Sequence, residues 1–211
     1  MQALKNELKV YRGESFTIDK ILVNRDGTPY VISSKLVNPH FLISVSNTQY
    51  SQQNRYVKNY WLTLDNFPRF ESTEIFDIRS IKNSVGENSS SLYTSFEVAK
   101  EGILQLSCLS GYLNGEPVEI HPEEYAVCTD GVSYKYWKND EWYDYQCRIV
   151  KTFTTEDTKE WISQNYFYSI QLVTGNEVEG DDAPIVVQSS YPILPPTAIK
   201  VINYVQGDSV W

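Results

Sequence analysis

The chain has 211 residues, 41% of them apolar and 21% charged, which fits one large all-β domain or two small ones and excludes a disordered or fibrous chain. Its 18 basic and 27 acidic residues leave a net charge of −9, a sign that repels a phosphate backbone, so no nucleic-acid partner is expected. No stretch reaches the roughly 18 consecutive apolar residues of a membrane-spanning helix, and the start, Met1-Gln-Ala-Leu-Lys-Asn-Glu, has no signal-peptide core. A chain made in the cytosol, with no membrane partner, is the expectation.

The first unit runs from Leu8 to Val23, followed by Asn24-Arg-Asp-Gly-Thr-Pro and then Tyr30-Val-Ile. Alternation at Phe16 and Ile18 predicts a strand, and Asp26-Gly27 supplies the residues that a tight hairpin turn tolerates. After the breaker Asn38-Pro39, Phe41 to Ser46 predicts a further strand. A polar stretch over 48–58 reads as a loop before the strand Tyr60-Trp-Leu-Thr-Leu, and the serine-rich 84–91 reads as a second loop. Strand signals resume at Leu92 to Val98 and Gly102 to Leu109, with a turn at Asn114-Gly115.

From Tyr125 to Val150, alternation and turn chemistry agree on an antiparallel meander, with turns at Asp130-Gly131 and Asn139-Asp140. A threonine at 154, acids after it and Trp161-Ile162 predict one short helix near 155–163. Asn165 to Gly175 predicts a strand with Tyr166, Tyr168, Ile170 and Leu172 on one face. The fold class predicted is therefore mainly all-β: an antiparallel β-sandwich, Ig-like or jelly-roll-like, with long loops. Phe16, Ile18, Phe41, Ile43, Trp61, Tyr168 and Ile170 are its expected core.

The domain expected is 1–175, with 176–211 set apart as an acidic loop followed by an extended arm or edge strand. Pro184, Pro192, Pro195 and Pro196 limit what that tail can donate to a central ladder, yet Ile185-Val-Val and Ala198-Ile-Lys-Val-Ile need an apolar surface. Ile185, Val187, Tyr191, Ile193, Leu194, Ile199, Val201 and Trp211 are accordingly the candidate partner-binding residues. Two readings stay open: an arm that adds a strand to a neighbouring subunit, and an edge strand folded back on its own sheet.

Catalytic chemistry needs a nucleophile, a base and an orienting group, or two carboxylates in different environments. His40 and His121, the chain's 2 histidines, both flank prolines and read as turn residues. No zinc-protease, nucleophile-elbow, phosphate-loop or dinucleotide pattern occurs, so no enzyme, cofactor or metal is expected. Glu177, Glu179, Asp181 and Asp182 could offer hard oxygens to calcium, but a solvated loop is the favoured reading. Trp137, Trp142, Tyr134, Tyr136, Tyr143 and Tyr145 could form a sugar-stacking platform; alternate positions face opposite ways, so core packing is favoured. Cys108, Cys128 and Cys147 are odd in number and form no CxxC pair, which predicts reduced thiols without a disulfide.

The stretch Val10-Tyr-Arg-Gly-Glu-Ser-Phe-Thr-Ile, then Asn24-Arg-Asp-Gly-Thr-Pro-Tyr-Val-Ile, resembles the amino-terminal domain of upper-baseplate and related tail proteins of phages infecting Gram-positive bacteria. Phe153-Thr-Thr-Glu-Asp-Thr and Tyr166-Phe-Tyr-Ser-Ile-Gln-Leu-Val are similar to the threonine-rich turn and closing strand of that domain. The resemblance implies a non-enzymatic structural component of a bacteriophage particle, in the tail, baseplate or head and neck. It further implies other phage structural proteins as partners, a homo-oligomer or symmetric assembly, and a place in the virion after synthesis in the host cytoplasm. The alternative function is a carbohydrate-binding or adhesion module, with a glycan as ligand.

Overall fold

The computed structural model describes residues 8–47, 57–80, 93–106, 109–113, 116–120, 126–162, 164–178 and 183–202. In chain order the strands are β1 (Leu8–Tyr11), β2 (Phe16–Ile21), β3 (His40–Ser46), β4 (Val57–Thr63) and β5 (Ile75–Asp77), followed by helix α1 (Phe96–Leu106). Next come β6 (Leu109–Leu113), β7 (Glu116–Ile120), β8 (Val127–Thr129), β9 (Tyr134–Lys138), β10 (Glu141–Asp144) and β11 (Arg148–Phe153). Helix α2 (Thr155–Thr158) precedes β12 (Asn165–Glu177) and β13 (Ile185–Ile202). The chain is all-β and sandwich-like, as the alternating pattern predicts.

Two compact units interleave along the chain. Residues 1–20, 36–66 and 148–211 form the first, and 21–35 and 67–147 the second. In the first unit a five-stranded sheet has the order β1-β13-β12-β3-β4, antiparallel throughout except for the parallel pair β1 and β13. Its register explains its core. Tyr168 pairs with Val45, Ile170 with Ile43 and Leu172 with Phe41, while Ile43 pairs with Tyr60 and Val10 with Val201. Residues paired across a ladder share a face, so these side chains are gathered on one side, where all of them are buried.

The ribbon of β2 and β11 packs on the first unit's aromatic residues. Phe16 of β2 stacks on Phe153 of β11 with ring centroids 4.7 Å apart, Tyr60 meets Phe153 edge-on at 4.8 Å, and Trp161 stacks on Tyr166 at 4.8 Å. Trp61 does not join this core. It pairs with Leu42, one step out of phase with the Tyr60–Ile43 pair, and so lies on the opposite face with its ring 6.2 Å from His40. The expectation placed the wrong member of the Tyr60-Trp61 dipeptide inside.

The second unit has a four-stranded sheet of order β10-β9-β8-β5 and the separate hairpin of β6 and β7. Asn139 and Asp140, both at positive φ (51° and 60°), form the tight turn between β9 and β10, a conformation that short polar residues tolerate. The expected meander thus holds through β10, but β11 leaves it to pair with β2. Strand was expected over 92–98 and 102–109, but Phe96–Leu106 is helical instead. Phe96, Ala99 and Ile103 are all buried at helical spacing, and Ser95 opens the helix by accepting from the Val98 N–H at 3.4 Å. They pack with Trp137, Tyr93 and Phe76 in one core cluster.

The boundary expected after residue 175 falls inside the β12–β13 ladder, which runs continuously to the Glu177–Ile185 pair. The tail is therefore part of the first unit's main sheet. Ile185, Ile199 and Val201 are buried in the chain's own core, which overturns the reading of a free arm and leaves that of a strand folded back on its own sheet.

Candidate interaction edge

Strand β13 is flanked on both sides only at its end. At Ile199 and Lys200 it pairs with both β1 and β12 and at Val201 and Ile202 with β1, whereas along 185–198 it pairs with β12 alone among the described residues. The prolines explain this division, since Pro has no N–H for a ladder and is tolerated at edges and bulges. Pro195 and Pro196 sit in the register shift between the Tyr168–Thr197 and Ile170–Leu194 pairs, and Pro192 follows in a second shift. A third shift lies between Thr174–Ser189 and Gly175–Val187. In each, β13 carries one residue more than β12, which curves the edge and increases its local twist.

Gly175 makes the third shift possible. A Cβ there would stand 1.9 Å from the Val186 carbonyl oxygen. The Gly175 N–H reaches the Val37 carbonyl at 3.4 Å, and its own carbonyl accepts from Asn38 Nδ2 at 3.3 Å. Asn38 sits at φ 42°, so the Asn38-Pro39 breaker read from sequence also anchors this hairpin.

The eight candidate residues thus separate. Ile185, Ile199 and Val201 face the core, Val187 and Tyr191 are 42% and 48% exposed, Ile193 and Leu194 are half-buried, and Trp211 lies outside the described residues. Val186, 61% exposed, belongs to the edge although the candidate set passed over it. Its sequence signal was the charge-free run from Ala183 to Ile199. Natural sheets commonly blunt an open edge with charge, proline or bulges; within β13 the prolines lie from 192 onward, so 185–191 has neither proline nor charge and is interrupted by the bulge between Val187 and Ser189.

The other candidate sites resolve into packing. Trp137 is buried and lies 5.2 Å from Trp142, which in turn packs 4.8 Å from Phe96. Tyr145 and Tyr136 surround Phe70 at 5.3 Å and 5.7 Å in a separate cluster that Tyr134 also joins. Tyr145 donates to the Tyr30 carbonyl at 2.9 Å, and burial pushes its phenol pKa up. Tyr143 remains 42% exposed, so the meander presents one open ring rather than a platform. His40 Nδ1 lies 3.0 Å from the Asn38 carbonyl. Cys128 and Cys147 are free and buried, and burial pushes both thiols up to about 12.

His121, Cys108, Glu179, Asp181 and Asp182 lie outside the described residues. Among the described residues no group of three or more His, Cys, Asp or Glu is placed to hold a metal ion, and no helix is long and apolar enough to cross a membrane.

Within the first unit, the turn after β1 is bonded to the segment around α2. Thr158, fully buried, donates to the Glu14 carbonyl at 3.0 Å, and Arg12 Nε donates to the Lys159 carbonyl at 3.4 Å. Thr154 caps α2 in a reciprocal capping box with Asp157. Against the desolvation that raises it, the Asp157 carboxyl is held at about 2 by the Thr154 N–H and by Lys58, whose Nζ lies 3.0 Å away. Thr158 was not singled out in the sequence, where a threonine inside a threonine-rich turn gives no sign of being buried. Comparison of the chain with protein-family models, with curated proteins and with solved structures gives no match.

Proposed function

We propose that this protein is a non-enzymatic structural component of a bacteriophage particle, in the tail, baseplate or head and neck, and that it works through protein–protein contacts. The observation that carries the reading is the β13 edge: an apolar, charge-free strand with Val186, Val187 and Tyr191 exposed and no strand against 185–198 among the described residues. Such an edge recognises another extended segment by main-chain hydrogen bonds. The resemblance to phage tail domains supports the particle assignment. Its Arg12-Gly13-Glu14-Ser15 turn and its Thr154–Thr158 segment are bonded to each other, and Gly13 and Gly27 occupy turns at φ 77° and 87°, where glycine is free of strain.

Mass spectrometry of purified particles tests this assignment. The chain should be present in fixed stoichiometry with capsid or tail proteins. Its absence from particles, with glycan binding by the isolated chain, would replace the proposal with the carbohydrate-binding alternative.

A further inference from the structure

We draw no further inference here: the strongest candidate, the tip of the β8–β9 hairpin where Val132 stands 92% exposed on a turn that Asp130 holds by accepting from the Val132 and Ser133 N–H groups, presents a single apolar side chain, and nothing in the structure shows what covers it.

Discussion

At the scale of single residues, position in the ladder decides the energetic role of a side chain more than its size does. Phe41 is fully buried and paired with Leu172, whereas Trp61, the larger residue, sits on the opposite face against His40. Phe41→Ala should therefore cost about 3–5 kcal/mol through lost transfer energy and a cavity, and Trp61→Ala about 1 kcal/mol or less, the worth of a cross-strand contact. Urea unfolding of both variants measures the contrast, and equal losses would show that the two faces are wrongly assigned. Gly175 makes the complementary point with no side chain at all. Because the clash at 1.9 Å is with the Val186 carbonyl, a backbone atom, Gly175→Ala cannot be relieved by a rotamer change and should destabilise by about 1–3 kcal/mol. A neutral outcome in the same unfolding assay would mean that the bulge relaxes freely.

At the scale of elements, what was legible in the sequence is what depends on near neighbours. The turn at Asn139-Asp140, the strand from Asn165 with its buried Tyr166, Tyr168, Ile170 and Leu172, and the capped helix after Thr154 all follow from adjacent residues, and all are present. Helix α1 was misread because Phe96 and Val98 also satisfy a two-residue period; Ala99 and Ile103 reveal the helical spacing only when the whole stretch is considered. Helix α2 spans just four residues, too few to be stable alone, so its cap and its ties to β4 and the β1–β2 turn hold it. Thr154→Ala should cost about 0.5–2 kcal/mol. The Asp157 part of that bonding has a defined pH window. Its folded pKa, about 2, lies below the ordinary 3.8, so its stabilisation is complete above the ordinary value and is lost as pH falls through the folded one. Thermal melts should show Asp157→Asn less stable than the unaltered chain from neutral pH down to the ordinary value, and converging with it below. A gap that stays constant through that range would remove the carboxylate from the account.

At the scale of the whole molecule, the decisive pairings join distant parts of the chain. Leu8 is opposite Ile199, and the first unit is assembled from three separate stretches, 1–20, 36–66 and 148–211. Period-two alternation assigns a strand its faces but names no partner, which is why Leu8 to Val23 read as one unit although β1 joins β13 and β2 joins β11. The same limit kept the role of the tail open, and its prolines were as compatible with an arm as with the bulged edge that forms. Because β13 pairs with both β1 and β12 at Ile199 and Lys200 and contributes Ile185, Ile199 and Val201 to the core, the tail is a structural element of the first unit. A chain ending at Gly175 would leave β1 without its ladder and expose the apolar face of β12. It should lose near-ultraviolet dichroism from the Phe16, Phe153, Trp161 and Tyr166 cluster and become sensitive to limited proteolysis within 1–20 and 148–175. If that truncated chain instead melts at the temperature of the complete one, the tail contributes nothing to the core, and the sheet order from β1 to β12 would have to be redrawn.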